Sequence, residues 1–433
     1  MNTKTRNIGL LGAISIGIGG MVGGGIFAVL GEAVSLAHGA TAIAFLFAGI
    51  VALLTAYAYS KLSVTFQNRG GTVVFIDQAF QHNLLSSSVN LMLWLSYLVT
   101  IALYASAFAS YGQTFLQDSP TPLQHHFLIT IAIILPAIIN LISTSFVSRS
   151  EFVIVLIKVS LLILIIISGV FYIDPDKLSP NHWESPLAIV TAGMIIFVAY
   201  EGFELIANAT EDIKSPEKNL PKAFFGATLF VILLYVLISL VTVGVVPEAQ
   251  LLEAKDYALA IAAKPALGNI GFTIVAIAAL LSTFSAINAT IYGNARLGYF
   301  LAKEGELPHK LSILNKNIPS YDIIVISLLS IGIANTISLN EIAIIGSAGF
   351  LLIFTIVNLA AFKLRHKIHA RTTVLIAAFT MSLAALLTLL IYTYNTNPKA
   401  IIVFASFITI AILFELLYGV YIRKHFFKRN YHV

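Results

Sequence analysis

The sequence predicts an all-α integral membrane protein with twelve transmembrane helices, two of them interrupted near the middle. Three observations lead to this fold class: the apolar composition, the number of long apolar segments, and the glycines or carboxylates inside two of those segments. The 433-residue chain is 58% hydrophobic and only 10% charged, whereas soluble proteins carry about 25% charged residues. The composition therefore excludes a soluble globular protein and indicates a polytopic membrane protein.

Runs of about 20 apolar residues mark transmembrane helices, and polar breaks divide the chain into twelve of them. We predict spans at 8–37, 40–66, 87–117, 126–145, 149–172, 187–210, 221–246, 269–302, 319–337, 341–362, 372–393 and 398–422. The whole chain, 1–433, then forms a single transmembrane domain. Its longest connection, PEAQLLEAKDYALAIAAKPALGN, is apolar enough to form short interfacial helices.

The basic residues predict the orientation of these spans. Twelve spans place both termini on one side of the membrane, and cytoplasmic loops collect Lys and Arg. Of the 25 basic residues, only Lys177, Lys255, Lys264 and Lys399 fall in outward loops and Lys158 lies inside a span; the other 20 face inward. We therefore expect both termini in the cytoplasm, and the +5 charge needs no nucleic acid partner. The short loops suit a bacterial or archaeal cell membrane, and we expect a bacterial inner membrane.

The first span contains SIGIGGMVGGGIFAVLG, and its glycines predict a break. Glycine disfavours a helix interior by about 1 kcal/mol relative to alanine. Close packing of small residues against a neighbouring helix is one explanation. Three consecutive glycines, Gly23, Gly24 and Gly25, favour another: an unwound segment whose backbone amides face a ligand.

The sixth span contains MIIFVAYEGFELIANATED, with Glu201 and Glu204 in mid-span. Carboxylates at that depth are rare and usually face a cavity, although a span that begins later would place Glu201 near an interface. Breaks at corresponding places in two halves are typical of inverted repeats around a site at the membrane midplane. We predict repeats at 8–172 and 187–362, followed by helices 11 and 12 at 372–422.

Backbone at two such breaks suits a zwitterionic amino acid. Helix N-termini offer free N–H groups to a carboxylate, and helix C-termini offer carbonyl groups to an ammonium. We expect the carboxylate on the glycine amides and the ammonium near carbonyls of the two breaks. The predicted substrate-binding residues are Met21, Gly23, Gly24, Gly25, Val198, Ala199, Tyr200 and Glu201.

Three segments together resemble the amino acid–polyamine–organocation (APC) superfamily. SIGIGGMVGGGIF is similar to its first helix, FVAYEGFELIANATEDIKSPEKNLPKA to its sixth, and STFSAINATIYGNARLGYFLAKEGELP to its eighth. The resemblance covers about residues 8 to 425 and implies the LeuT-type fold, a 5+5 inverted repeat with broken helices 1 and 6 and two extra helices. LWLSYLVTIALYASAFASY and EFVIVLIKVSLLIL further resemble helices 3 and 5 of its proton-coupled, broad-specificity branch, the ApcT-like amino acid transporters.

Lys158 lies in the middle of the fifth span, where a charge costs roughly 2.5–3.5 kcal/mol on insertion scales. About ten helical residues, roughly 15 Å, separate it from either end, too far for the side chain to reach water. The resemblance implies that it replaces the bound cation of sodium-coupled relatives and couples transport to protons, with Gly19, Ser282 and Ser285 as neighbours. Alternatively, Lys158 forms a structural ion pair with Glu201, and the serines bond only to their own helix.

The chain departs from the superfamily pattern at two places. The triple glycine leaves only backbone amides for the substrate carboxylate. Glu201 stands where many relatives carry an apolar residue: it could favour cationic amino acids, act as a second proton site, or face a neighbouring helix in silent, protonated form. We expect Glu204 to be a structural partner, and we expect RGGTVVFIDQAF to form an inward loop helix with Arg69 as a possible gate.

These features predict a secondary active transporter that imports amino acids by proton symport through alternating access. An amino acid or polyamine exchanger is the alternative in the same superfamily, and a sensor that retains the binding site belongs to another class. We expect no enzyme activity, because a nucleophile–base pair and intramembrane His clusters are missing. We expect no cofactor and no metal, and the lack of cysteine excludes metal sites built from thiolates. The expected partners are the lipid bilayer, amino acids and protons, and the protein can work as a monomer.

Overall fold

The computed structural model describes residues 6–116, 121–142 and 144–419 of the chain. Within these ranges the regular structure is helical, and β-pairing is confined to isolated bridges. The helices are α1 (Leu10–Met21), α2 (Gly25–Ala37), α3 (Thr41–Thr65), α4 (Thr72–Phe80), α5 (Leu84–Gln113), α6 (Pro122–Ile142), α7 (Thr144–Gly169), α8 (Pro186–Ile195), α9 (Leu205–Asn208), α10 (Pro216–Val245), α11 (Glu248–Glu253), α12 (Ala258–Ala262), α13 (Lys264–Lys303), α14 (Ser320–Thr336), α15 (Leu339–Lys363), α16 (Thr372–Thr396) and α17 (Pro398–Tyr418).

The helices match the predicted spans closely. In the described chain, ten segments are long and apolar enough to cross a membrane, and the bent pair α1 and α2 forms an eleventh. The predicted ninth span is α14, whose 17 residues fall just short of that length. The twelve-span arrangement therefore stays a prediction. The predicted span residues 117, 143 and 420–422, and the predicted cytoplasmic ends 1–5 and 420–433, lie outside the described residues.

Local capping sets several helix boundaries. The predicted third span starts at residue 87, but α5 begins at Leu84 because Asn83 and Ser86 form a capping box. A second capping box, Ser338 with Glu341, starts α15. These side chains satisfy amide groups that have no partner in the first helical turn, and so they define where each helix can begin.

The core lies around α2 and α5, and the outside of the molecule is apolar. Helix α5 is buried along most of its length, and α2 is buried from Gly25 to Val34. On the surface, by contrast, Leu123 of α6, Leu156 of α7 and Leu413 of α17 are exposed. Such an apolar surface is unfavourable in water but matches lipid chains. The fold is that of a multi-pass membrane protein.

Two connections between spans contain short helices, as the sequence predicts. Helix α4 follows the second span and corresponds to RGGTVVFIDQAF. Helices α11 and α12 lie in the connection between α10 and α13 and bury Leu251 and Leu259 completely. A side chain at Gly31 of α2 would overlap the carbonyl of Lys255, so this connection packs directly on the backbone of α2.

Candidate functional site

The predicted break in the first span is present. Helix α1 ends at Met21, α2 begins at Gly25, and the two axes bend by 49°. The first hydrogen bond of α2 joins the Ala28 N–H to the Gly24 carbonyl at 2.9 Å. The N–H groups of Gly25 and of the two residues after it precede the first helical bond, and an anionic group is favoured at such an end.

The sixth span is interrupted at the predicted place. Helix α8 ends at Ile195, a 3₁₀ segment covers Ile196–Tyr200, and α9 starts at Leu205. Gly202 has a φ angle of 121°, in the region that side chains rarely adopt. The predicted carboxylates Glu201 and Glu204 lie in this irregular stretch, and both are buried.

The two breaks contact each other backbone to backbone. A Cβ atom at Gly20 would lie 2.7 Å from the Gly202 carbonyl oxygen, and one at Gly25 would lie 2.7 Å from the Ala199 Cα. Close packing therefore explains Gly20 and Gly25, while Val22, Gly23 and Gly24 form the interruption itself. Close packing and an interruption of the helix therefore both occur in the glycine-rich span, at different glycines, and the role of the amides toward a ligand stays a prediction.

Tyr235 of α10 bridges the breaks. Its hydroxyl lies 2.7 Å from the Met21 carbonyl oxygen and 3.2 Å from that of Ala199. These are two of the carbonyl groups predicted to receive the substrate ammonium. In this structure they converge on a hydroxyl group of the protein.

Other hydroxyl groups hold the 3₁₀ segment of the sixth span. The Ser347 hydroxyl of α15 accepts the Val198 N–H at 3.0 Å and donates to the Ile195 carbonyl. The Tyr200 hydroxyl donates to the Phe45 carbonyl of α3 at 2.8 Å. The side chain of Tyr200 therefore points to α3. The Val198 N–H already has a hydrogen-bond partner within the protein.

Lys158 lies beside the end of α1, next to the residue that the sequence predicts. Its Nζ atom donates to the Gly19 carbonyl at 3.0 Å, and the side chain is only 2% exposed. From α13, the Ser282 hydroxyl donates to the Gly23 carbonyl, and Ser285 is buried close by in sequence. Groups from α7 and α13 thus contact the first span on either side of its break.

Glu201 and Glu204 contact each other and two tyrosines of α5. The Tyr104 hydroxyl donates to Glu201 Oε2 at 3.3 Å, and the Tyr97 hydroxyl donates to Glu204 Oε1 at 3.1 Å. Glu204 Oε2 accepts the Gly202 N–H at 2.8 Å, which fits its predicted structural role. The alternative ion pair of Lys158 with Glu201 stays a prediction.

All eight predicted substrate-binding residues are buried, and contacts cover them on both sides. On the α4 side, Arg69 pairs with Asp212 at 2.9 Å, and the Ile8 N–H donates to the Asp212 carbonyl at 2.9 Å. On the α11 side, Lys255 pairs with Glu32 of α2. Ion pairs therefore bridge neighbouring segments on both sides of the breaks.

Sequence reasoning missed several residues that shape this site. Tyr235 and Ser347 carry hydroxyl groups inside long apolar helices, and that is their only signal in the sequence. Asn358 likewise lies within apolar α15 and donates to Thr55 and Ser382, away from the breaks.

Among the described residues, no group of three His, Cys, Asp or Glu side chains could hold a metal ion.

Comparisons with known proteins agree with this architecture. The model of the amino acid permease family matches residues 8–417. The chain is 34% identical to an uncharacterised protein of Methanocaldococcus jannaschii over the full length of both chains. It is also 34% identical to the inner membrane transport protein YbaT of Escherichia coli, over 93% of this chain and 95% of that protein. A methylthioribose transporter of Bacillus subtilis is 28% identical over 81% of this chain and 79% of its own length.

The named relatives are membrane transporters and not enzymes, which confirms the corresponding expectation from the sequence. A special closeness to the ApcT-like branch stays a prediction. The family model covers nearly the whole chain, and the structure is helical with many apolar spans. The chain belongs to the amino acid permease family of the APC superfamily.

Proposed function

We propose that this permease is a secondary active transporter that imports amino acids together with protons. It alternates between outward-open and inward-open states around a site at the unwound parts of the first and sixth spans. Twelve spans form the LeuT-type 5+5 inverted repeat (8–172 and 187–362) with two appended helices (372–422). Both termini face the cytoplasm, and a single chain holds the complete site.

The contact between Lys158 and Gly19 carries this proposal. A protonated lysine is a compact cation with three N–H donors, and here it joins α7 to the carbonyl end of α1 at 3.0 Å. The neutral amine lacks the charge that attracts the carbonyl dipole and makes a weaker hydrogen bond. Gain and loss of one proton therefore tighten and loosen the α1–α7 contact.

The proton site and the substrate site share one short segment. Lys158 contacts Gly19, Ser282 contacts Gly23, and the amides that suit a carboxylate begin at Gly25. All of these groups lie within two helical turns of the first span. A movement of that segment affects both sites, and this is the physical basis for coupling.

The contacts that close the centre support alternating access. Arg69 is half exposed, and its ion pair with Asp212 joins the connection after α3 to the end of the sixth span. An exposed ion pair contributes only about 0–1 kcal/mol to stability. The Arg69–Asp212 contact can therefore break at low cost when the protein opens on this side. Glu32 and Lys255 form the corresponding contact on the opposite side.

An amino acid or polyamine exchanger is the alternative. In that case Lys158 remains a permanent cation that holds α1 and α7 together. The two functions differ in whether the Lys158–Gly19 contact changes with the proton gradient, and a transport experiment measures this.

The test is uptake of radiolabelled L-alanine, L-leucine and L-lysine into proteoliposomes with an imposed inward proton gradient. We expect the wild type to accumulate at least one of them. Lys158→Ala should lower accumulation at least about tenfold, because the charged hydrogen bond is lost, while substrate binding persists. Lys61→Ala, a lysine of α3 without contact to the breaks, is the matched control and should behave as wild type.

Two results would contradict the proposal. Uptake that ignores the gradient and requires amino acid inside the vesicles identifies an exchanger. Gradient-driven accumulation by Lys158→Ala at the wild-type level removes the lysine from the coupling mechanism.

A further inference from the structure

The connection between α15 and α16 is strongly basic. Its sequence, KLRHKIHAR at 363–371, contains four Lys or Arg residues and two histidines, and no acidic residue occurs between Glu341 and Glu415. The four permanently charged side chains, which we call the basic patch, are Lys363, Arg365, Lys367 and Arg371. All four reach the surface of the protein, Arg365 only in part.

Aromatic rings hold two of these cations in position. The Nζ atom of Lys363 lies 5.0 Å from the centre of the Phe80 ring, at the end of α4. The Nζ atom of Lys367 lies 4.7 Å from the centre of the Phe66 ring, directly after α3. The face of a ring attracts a cation through its quadrupole but carries no net charge. The two ammonium groups are therefore oriented without being neutralised.

Acidic side chains do not neutralise the patch either. Among the described residues, no carboxylate forms an ion pair with any of its four cations, whereas Arg69 is paired with Asp212. The tendency of cytoplasmic loops to collect basic residues accounts for the number of these cations. It does not explain why rings and not carboxylates contact them. Like charges so close together repel one another, and an anion bound among them removes that repulsion.

The apolar surface of the protein begins directly beside the basic patch. Leu359 lies one helical turn before Lys363 and is 36% exposed, and Ile376 lies five residues after Arg371 and is 46% exposed. Lipid chains suit such a surface, so the patch lies at the depth where lipid head groups meet water. An anion that carries its own acyl chains contacts both surfaces at once, which a free anion cannot do.

We propose that the basic patch binds the phosphate head groups of anionic phospholipids. Lysine and arginine donate charge-assisted hydrogen bonds to phosphate oxygens, and the acyl chains lie along the apolar surface next to the patch. Under the proposed orientation these lipids belong to the cytoplasmic leaflet. The inference goes beyond the proposed function and does not rest on it, because neither the breaks nor Lys158 take part in this site.

The test is the binding of phosphatidylglycerol labelled with a fluorophore on its acyl chain, measured by fluorescence anisotropy. The full-length protein is purified in a non-ionic detergent. For wild type, unlabelled phosphatidylglycerol should displace the probe at least about twentyfold better than phosphatidylcholine with the same chains, since each Lys or Arg near an anionic group contributes about fivefold. The double variant Lys363→Gln with Lys367→Gln should bind the probe about 25-fold more weakly for the same reason.

A matched control removes two cations from the other ends of the spans. Lys264 also lies over a ring, with its Nζ atom 4.7 Å from the centre of Phe272, and Lys399 is exposed at the start of α17. The double variant Lys264→Gln with Lys399→Gln should bind the probe as wild type does. Lys363→Arg with Lys367→Arg keeps both charges and should retain most of the affinity. All variants must elute as monodisperse protein on size exclusion.

The dependence of binding on salt separates an electrostatic site from a change in structure. Salt screens exposed charges, so rising salt should weaken the binding of the probe to wild type more steeply than to the Lys363→Gln, Lys367→Gln variant. Equal salt dependence for the two proteins would contradict a direct contact between these lysines and the phosphate.

Three further results would overturn the inference. If the Lys363→Gln, Lys367→Gln variant binds the probe with wild-type affinity, the patch is not the site. If phosphatidylcholine displaces the probe as well as phosphatidylglycerol does, the protein recognises only the chains. If inorganic phosphate displaces it at similar concentrations, the patch binds a free anion and not a lipid. These measurements involve no transport, so their failure leaves the proposed function untouched.

Discussion

The two breaks of the central spans are held open in different ways. The first break consists of glycine and valine, so its polar contacts come from other helices: Lys158 of α7, Ser282 of α13 and Tyr235 of α10. The sixth break is partly held by its own chain, because Glu204 accepts the Gly202 N–H and 3₁₀ hydrogen bonds run through it.

This difference indicates which break responds to its surroundings. The shape of the first depends on the relative positions of three other helices and on one titratable amine. The sixth keeps part of its shape when its neighbours move, because its hydrogen bonds lie within a few residues. Under the proposed function, the first break responds to the proton on Lys158, and the sixth keeps its shape.

The largest expected effect comes from a substitution where the two breaks touch. Gly202→Ala places a side chain at a φ angle of 121° that overlaps the Gly20 carbonyl carbon. We expect destabilisation of about 3 kcal/mol or more, from backbone strain and overpacking together. The melting temperature of detergent-solubilised protein measures it.

Gly268→Ala is the matched control for that substitution. Gly268 also has a positive φ angle, 62°, but no atom lies within 4 Å of its added Cβ. Only the backbone strain should remain, about 1–3 kcal/mol for a side chain in this glycine-only region. Equal melting temperatures for the two variants would contradict the close approach of the breaks.

An intermediate effect is expected at the hydroxyl that joins the two breaks. Tyr235→Phe removes both contacts to the Met21 and Ala199 carbonyls and should cost about 1 kcal/mol of stability. Uptake per folded molecule should also fall, because the two breaks lose their shared contact through Tyr235. Tyr59→Phe removes an equally buried hydroxyl, bonded to Thr72 at 2.9 Å, and should lower stability alone. Parallel losses of uptake in both variants would contradict the role of Tyr235.

The smallest effects are expected from removing one serine hydroxyl at each break, which compares the two breaks directly. Ser282→Ala acts on the first break and Ser347→Ala on the sixth, and each removes one buried hydroxyl worth about 0.6 kcal/mol. We expect Ser282→Ala to weaken the dependence of uptake on the proton gradient. Ser347→Ala should raise KM by about twofold to threefold and leave that dependence intact. If both variants change KM and gradient dependence together, the two breaks act as one unit and do not have separate roles.

Sequence reasoning located the breaks because their cause is local. Three consecutive glycines, and carboxylates inside an apolar run, are unfavourable for an ordinary membrane helix wherever they occur. Lys158 is similar: a charge about ten residues from either end of a span needs a partner inside the bundle. The position of its partner Gly19 came from the family resemblance.

The residues that the sequence could not reveal depend on long-range register. Tyr235 lies 214 positions from Met21, and its role depends on which face of α10 meets the break. Ser347 reaches the sixth span from 149 positions away. One hydroxyl in an apolar helix most often bonds to its own backbone, as Thr242 does with Ile238, so such residues carry no distinctive signal. The capping of both break carbonyls by Tyr235 was therefore not predictable.

The backbone pairing of Ile8 has a mechanical consequence. Its N–H donates to the Asp212 carbonyl at 2.9 Å, and its carbonyl accepts the Lys214 N–H at 2.8 Å, which ties the start of α1 to the chain beyond α9. While this pairing persists, the start of α1 and the chain beyond α9 move together. The contact of Gly20 with Gly202 joins the same two spans a second time, so a displacement of α1 is transmitted to the sixth span at two places.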